Sequence, residues 1–117
     1  MFDLYIIRAI GLDAVKVGKS TNVKNRFSQI QSSSPISMSL VAKLVNLGEL
    51  EDVFHSYLQE AHIKGEWFRE SHYCTQRLIK ASSQRWRVEK LAAEHVGCEM
   101  ALIRIHRERA SKKWFAS

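Results

Sequence analysis

The sequence predicts an α+β domain in which strands and amphipathic helices follow one another along the chain. Two apolar runs rich in β-branched residues, 4–9 and 14–17, flank the turn signal Gly11-Leu12-Asp13 and favour a β-hairpin. Apolar residues at helical spacing then predict amphipathic helices further along the chain. A chain of 117 residues with 45% hydrophobic residues is long enough to bury one compact core.

The segments after the hairpin alternate between helix and strand. A first helix is predicted over residues 21–31, where apolar residues recur at spacings of four and three. A loop that contains Pro35 separates it from a third strand over residues 39–47, which can pair with the hairpin. A second amphipathic helix is predicted over residues 49–62, and Gly65 then marks a tight turn before a short extended segment.

The last part of the chain is predicted to be helical. A helical turn or two is expected over residues 73–80, and Ser82-Ser83 marks a joint. Beyond the joint, a heptad-like apolar stripe runs from Val88 to Ile105. Gly97 lies within this stripe and disfavours helix, so the pattern is compatible with one long helix or with two helices broken near Gly97.

Charge is distributed unevenly along the chain, which carries a net charge of +6. Residues 1–73 hold eight basic and eight acidic side chains, whereas residues 74–117 hold ten basic and four acidic ones. We therefore divide the chain into a domain over residues 1–73 and a basic helical extension over residues 74–117. A concentrated basic segment attracts polyanions, so nucleic acid is the first partner to consider, and a solvated helix face is the alternative.

The sequence contains no segment of about 18 apolar residues, the length that a membrane-spanning helix requires. The first residues also lack the basic region and the cleavage site of a secretion signal. We therefore expect a cytoplasmic protein that does not insert into a membrane, although an anionic membrane surface is a second class of partner that the charge alone would attract.

Five features of residues 3–68 occur together in one order. They are Asp3-Leu4-Tyr5, Lys16-Val17-Gly18, a helix that carries Arg26, Leu50-Glu51 and Gly65-Glu66-Trp67-Phe68. In this combination the sequence resembles the GIY-YIG nuclease superfamily, in particular its small phage and bacterial branch that ends in a Gly-Glu-Trp-Phe signature. The resemblance implies a three-stranded antiparallel sheet flanked by helices, and it implies metal-assisted hydrolysis of phosphodiester bonds.

The resemblance also implies roles for individual residues. Glu51 takes the position of the family's metal-binding glutamate, and one carboxylate with the substrate phosphate can hold one Mg²⁺ or Mn²⁺ ion. Arg26 carries a planar, always charged fork that suits a phosphate. Tyr5 corresponds to the first tyrosine of the family, and its hydroxyl, or a water on the metal, would handle the proton of the nucleophile. The alternative for Tyr5 is an inner strand residue that packs on the core.

The sequence departs from the family's pattern at several positions, among them the missing glycine of the first tripeptide and the missing late asparagine, and two departures bear on proton chemistry. Lys16 stands where the family has its second tyrosine, and an ammonium group holds a phosphate more naturally than it accepts a proton. Ile30 stands where active members place His or Tyr, and it contributes no proton chemistry. His55, one helical turn after Glu51, either compensates as a base or second metal ligand or is a structural histidine. Glu66 is either a second carboxylate or part of a turn whose Trp67 and Phe68 anchor the sheet, and for these two aromatics the structural role is favoured.

Basic side chains outside this candidate site are predicted to contact nucleic acid, and DNA is favoured over RNA. They are Lys19 and Lys24 in the first domain and Arg85, Arg87, Lys90, Arg104, Arg107, Lys112 and Lys113 in the extension. Trp86 and Trp114 are interleaved with the basic residues of the extension and can stack on unpaired bases.

The leading hypothesis is a nucleic-acid-binding endonuclease that depends on Mg²⁺ or Mn²⁺. Its candidate catalytic residues are Tyr5, Lys16, Arg26, Glu51 and His55, and Glu51 is the candidate metal ligand. Because of the two departures, the alternative is a catalytically inactive binding or regulatory module of phage or mobile-element origin. A third hypothesis is an assembly protein that forms a homodimer through the stripe from Val88 to Ile105.

Overall fold

The computed structural model describes the backbone of residues 1–116 and the side chains of residues 1–100. Within this part the chain has an α+β fold, with one antiparallel five-stranded sheet in the order β3-β1-β2-β5-β4. The strands are β1 (Asp3–Ala9), β2 (Val15–Ser20), β3 (Met38–Leu44), β4 (His62–Lys64) and β5 (Trp67–Phe68).

Four α-helices accompany the sheet in the described part of the chain. They are α1 (Val23–Ser32), α2 (Glu51–Tyr57), α3 (Tyr73–Ala81) and α4 (Arg85–Ala116). Two short 3₁₀ turns, Gly48–Leu50 and Gln59–Ala61, lie on either side of α2. None of the helices described through Ala116 combines the length and the apolar character that crossing a membrane requires.

The predicted hairpin, the helix over residues 21–31 and the third strand are confirmed, with boundaries shifted by a few residues. β3 ends at Leu44 instead of residue 47. The reason is a turn in which the Leu47 N–H donates to the Leu44 carbonyl and Asn46 adopts a positive φ of 60°. The joint at Ser82-Ser83 is also confirmed, because it separates α3 from α4.

The prediction of a three-stranded sheet is wrong, because β4 and β5 extend it to five strands. These strands have only three and two residues, too short for an alternating pattern to be visible in the sequence. The second helix also ends earlier than residue 62. The Ala61 carbonyl accepts a hydrogen bond of 2.7 Å from the Arg69 N–H, which draws the end of the helical segment against the residue that follows β5.

The sheet divides the core into two clusters, one on each face. The larger cluster joins the inward residues of β1 and β2, such as Leu4 and Val17, to Phe54 of α2 and Leu78 of α3. The smaller cluster packs Tyr5, together with Ile7 and Val23, under α1. Because neighbouring residues of a strand point to opposite faces, β1 fills both clusters.

The start of α4 belongs to the larger cluster. Val88, Leu91 and Ala92 are buried there against the strands and the other helices. α4 continues through Gly97, so the sequence alternative of one long helix is confirmed. The first part of the predicted stripe thus packs within the chain's own core. Ile105 lies outside the residues whose side chains are described, and the division at residue 73 stays a prediction.

We expect Val88→Ala to lower the free energy of unfolding by about 1.5–3 kcal/mol, because it removes buried methyl groups and leaves a cavity. Val96→Ala on the same helix is the matched control, because Val96 is 40% exposed whereas Val88 is fully buried. The free energy of unfolding of Val96→Ala should differ from that of the wild type by no more than about 0.5 kcal/mol. Urea unfolding followed by circular dichroism measures both variants, and equal effects would show that α4 does not pack in the core.

Candidate functional site

The centre of the candidate site is the point where Tyr5 of β1 pairs with Gly18 of β2 across the sheet. Tyr5 is only 1% exposed, and its ring packs with Ile7 and Val23. A Cβ atom at position 18 would overlap the Tyr5 hydroxyl and would lie 3.0 Å from Oε2 of Glu66. The missing side chain of Gly18 therefore leaves one small space into which the Tyr5 hydroxyl and the Glu66 carboxylate both point.

Glu66 reaches this space because it lies in the turn between β4 and β5. Gly65, the residue before it, has a φ of +55°, a left-handed conformation that favours glycine. The Glu66 carbonyl accepts a hydrogen bond of 3.1 Å from the Val17 N–H, which fastens the turn to β2. The same turn brings Oε2 of Glu66 to 3.4 Å from Nζ of Lys16.

Lys16 lies next to the space that the Tyr5 hydroxyl occupies, and two contacts hold its ammonium group there. Besides the ion pair with Glu66, its ammonium lies 5.7 Å from the centre of the Trp67 ring, a cation–π contact. Trp67 is half-buried, whereas Phe68 is buried in the larger core cluster. The expectation that these aromatics anchor the sheet is confirmed for Phe68.

The Tyr5 hydroxyl stays protonated at neutral pH. Burial raises the pKa of Tyr5 from 10.0 to about 12; the nearby charge of Glu66 adds to the rise, Arg26 opposes it, and Glu51 raises it further. The charges of Glu66, Arg26 and Glu51 all act on this hydroxyl, and we call the region around it the cleft. Tyr5 can therefore donate a hydrogen bond or a proton there, but it cannot serve as a base at neutral pH.

Arg26 is exposed on α1, on the side of the sheet that carries Tyr5. Asn22 caps this helix, since its side chain accepts a hydrogen bond of 3.1 Å from the Asn25 N–H. Ile30, one turn after Arg26, is half-buried against the cluster that contains Tyr5. At this position the chain therefore has an apolar packing residue, as expected from the absence of proton chemistry in its side chain.

Glu51 is the first residue of α2 and is buried. The 3₁₀ turn before it is fastened to the start of β1, because the Gly48 N–H donates a hydrogen bond of 2.9 Å to the Phe2 carbonyl. Burial raises the pKa of the Glu51 carboxyl, and the negative charge of Glu66 raises it further, while His55 and Lys19 partly offset the rise. The structure therefore holds two carboxylates close enough to repel each other.

Three side chains of α2 can hold a metal ion. The ligand atoms of Glu51, Asp52 and His55 all lie within 4.8 Å of one another, and this is the one such group among the side chains of residues 1–100. Nε2 of His55 lies 2.7 Å from the Val17 carbonyl. Since a carbonyl can only accept, Nε2 donates this hydrogen bond, and in the neutral ring that leaves the lone pair on Nδ1, the arrangement typical of a metal-binding histidine. The donor set therefore fits a divalent cation.

Sequence reasoning missed one member of this site and left another open. The prediction of a single carboxylate ligand leaves out Asp52, although its position next to Glu51 at the start of a helix is a visible signal. For Glu66 the sequence leaves open a second carboxylate or a part of a structural turn. Its place beside Tyr5 depends on the pairing of β5 with β2, which the sequence does not reveal.

The basic residues predicted to contact nucleic acid lie at separate places on the surface. Lys19 is exposed with its ammonium 5.2 Å from the centre of the Phe2 ring, and Lys24 is exposed on α1. Three of the predicted basic residues on α4, Arg85, Arg87 and Lys90, are exposed. Of these, Arg85 is engaged within the chain, since it pairs with Glu89 at 2.9 Å and donates to the Val45 carbonyl at 2.6 Å. The side chains of Arg104, Arg107, Lys112 and Lys113 lie outside the described ones.

The chain matches a known protein family. The T5orf172 domain matches residues 4–87, more than half of the chain. The matched segment contains all the residues of the cleft and ends at the start of α4. No curated protein and no solved structure matches the chain.

We expect Glu51→Gln to stabilise the metal-free protein at neutral pH, by about 2–6 °C in Tm or roughly 0.5–1 kcal/mol. The folded state raises the pKa of Glu51, so ionisation of this carboxylate opposes folding. This loss of stability is absent below the ordinary pKa of a glutamate, and it grows as the pH rises through the pKa of Glu51 in the folded state. Thermal unfolding in a chelator should therefore show a difference at pH 7 that disappears as the pH falls towards 4.

Glu49→Gln is the matched control, because Glu49 is exposed two residues before Glu51. Its Tm should follow that of the wild type at both pH values, within about 1 °C. A Glu51→Gln protein that is less stable than the wild type at neutral pH would contradict the repulsion between Glu51 and Glu66.

Proposed function

Because the chain belongs to the T5orf172 domain family, we propose that it binds nucleic acid and cleaves phosphodiester bonds with the help of a divalent metal ion. The T5orf172 domain is a phage-type domain related to nucleic acid. The reaction and the site that we propose are more specific than this general assignment.

One observation carries the proposal: the Tyr5 hydroxyl and Oε2 of Glu66 both reach the space that Gly18 leaves open, and Glu51, whose charge acts on this hydroxyl as that of Arg26 does, belongs to a group that can hold a metal ion. A proton donor, a fixed positive charge and a metal-binding carboxylate are the groups that phosphodiester hydrolysis needs. The resemblance to the GIY-YIG superfamily, noted from the order of motifs, supports the same assignment.

The metal ligands in this proposal are the carboxylates of Glu51 and Asp52 and Nδ1 of His55. We assign Mg²⁺ or Mn²⁺, because both accept carboxylate oxygens and keep coordination positions for water and phosphate. Such an ion supplies Lewis-acid stabilisation of the negative charge that develops on the phosphate. His55, which the sequence left between a base, a ligand and a structural residue, acts here as a ligand whose Nε2–H is anchored on the Val17 carbonyl.

The remaining residues bind the phosphate and move protons. Arg26 donates to the non-bridging phosphate oxygens through its planar fork, and the Lys16 ammonium adds a second positive charge. The Glu66 carboxylate accepts a proton from the attacking water while the oxygen of that water forms a bond to phosphorus. Tyr5, which stays protonated, donates its proton to the oxygen that leaves when the P–O bond breaks.

A second candidate function is supported by Ile30 and Lys16. Ile30 packs beside Tyr5 and brings no proton chemistry, and Lys16, in place of a tyrosine, forms an ion pair with Glu66. Both would suit a phage-type module that binds nucleic acid without cleaving it. The two candidate functions predict the same binding and opposite results in a cleavage assay.

The first test is plasmid nicking by the full chain with Mg²⁺ or Mn²⁺. We expect wild-type protein and Glu49→Gln to nick the plasmid and Glu51→Gln to be slower by roughly 100-fold or more, because a metal ligand is lost. A chelator should abolish the activity of the wild type. Nicking that persists in Glu51→Gln at the wild-type rate, or none from the wild type, would rule out the proposed reaction.

The second test isolates the Tyr5 hydroxyl. Tyr5→Phe keeps the buried ring, so we expect the fold to remain and the cleavage rate to fall about 10²–10⁴-fold because the proton donor is lost. The control is Tyr57→Phe, which removes the hydroxyl of a half-buried tyrosine on the side of α2 that faces α4. Single-turnover cleavage separates the two, and equal rates for both variants would exclude Tyr5 as the proton donor.

A further inference from the structure

A second surface with the chemistry of a ligand site lies between α3 and the first turns of α4. It is an open groove of about 720 Å³, bounded by residues 73–81 and 86–94, and we call it the α3–α4 groove. Its volume falls within the range of small-ligand sites. None of its lining residues belongs to the cleft around Tyr5, so it is a separate site.

Two aromatic rings are exposed in this groove, one from each wall. Tyr73 at the start of α3 is 71% exposed, and Trp86 at the start of α4 is 57% exposed. Each ring is accompanied by a guanidinium group. Arg77 lies 5.8 Å from the centre of the Tyr73 ring, and Arg87 lies 5.4 Å from the centre of the Trp86 ring. Planar groups left open to solvent in this way can take a further flat partner in a stack.

Positive charge lines the same groove. It contains four cations, Arg77, Lys80, Arg87 and Lys90, against the single carboxylate of Glu94. Glu94 lies 3.9 Å from Arg77. Among the side chains of residues 1–100, no carboxylate lies within salt-bridge distance of the other three cations. The groove therefore keeps a net positive charge that favours a polyanion.

The combination favours one class of occupant. A double helix offers phosphates but hides the faces of its bases, so the exposed rings would have no partner. An acidic peptide would pair with the cations but has no flat groups to stack on Tyr73 and Trp86. Single-stranded nucleic acid carries both phosphates and open base faces, and the combination of cations with aromatic platforms is the usual means of binding it.

We propose that the α3–α4 groove binds unpaired nucleotides, with bases stacked on Trp86 and Tyr73 and with Lys80, Arg87 and Lys90 on the phosphates. The proposal rests on the proposed function for the nature of the partner, nucleic acid, and adds that the preferred substrate has a single-stranded segment. It does not depend on cleavage, because the groove contains none of the residues of the metal group.

Fluorescence anisotropy in a chelator tests the groove without cleavage. The full chain is titrated into a fluorescein-labelled dT15 single strand and, separately, into a blunt duplex of the same length. We expect tighter binding of the single strand, and Trp86→Ala should weaken that binding roughly 5- to 150-fold, the loss of one base stack. Tyr73→Ala, in the opposite wall, should act in the same direction. Duplex binding should change less than about threefold in both variants.

Two further variants show whether stacking is the cause. Trp86→Phe keeps an aromatic ring and should retain most of the affinity for the single strand, whereas Trp86→Leu should not. Met100→Ala, which truncates another exposed apolar side chain on α4, is the control and should bind as the wild type does. Circular dichroism and thermal unfolding confirm that each variant is folded.

Three results would contradict the binding of unpaired nucleotides in the α3–α4 groove. They are equal losses for single strand and duplex, unchanged single-strand binding in both Trp86→Ala and Tyr73→Ala, or displacement of dT15 by poly-glutamate as effective as by unlabelled dT15. The cleavage assay distinguishes this failure from that of the proposed function. If both proposals hold, Glu51→Gln loses cleavage and still binds dT15 in the anisotropy assay. Either proposal can also fail alone, and the assay of the other proposal then still gives its expected result.

Discussion

The Tyr5 hydroxyl occupies the place where a side chain at position 18 would begin, and the arrangement of the cleft depends on this contact. Because Gly18 has no Cβ, the phenol can lie against β2, and the Glu66 carboxylate reaches the same space. The same strand offers the Val17 N–H to the turn that carries Glu66 and the Val17 carbonyl to His55. One short segment of β2 therefore aligns the groups from β1, from the β4–β5 turn and from α2.

Electrostatic repulsion is built into this arrangement. Burial and the charge of Glu66 act in the same direction on Tyr5 and on Glu51, since they raise the pKa of both. Fully ionised, the two carboxylates destabilise the metal-free fold, and a cation between or beside them relieves that repulsion. A site whose carboxylates oppose folding when no metal cation is bound is typical of function, because a purely structural cluster gains nothing from repulsion.

The local parts of this structure could be predicted from the sequence, whereas their meeting points could not. Spacing of apolar residues locates α1, β-branched runs around a turn signal locate the hairpin, and the motif order singles out Tyr5, Arg26 and Glu51 as candidate site residues. Glu66 joins them only through a two-residue strand, which is too short to leave a pattern. The α3–α4 groove likewise depends on how α4 turns back at the joint after α3, so Trp86 was visible as a stacking residue but Tyr73 was not.

The central claim is that Glu51, Asp52 and His55 hold a divalent cation beside the Tyr5 hydroxyl. The most direct measurement is anomalous X-ray diffraction from crystals of the full chain grown with Mn²⁺. The account predicts an anomalous peak within about 2.0–2.4 Å of the Glu51 carboxylate and Nδ1 of His55. Crystals that contain Mn²⁺ at millimolar concentration without a peak at these residues, or with one only elsewhere on the protein, would contradict it.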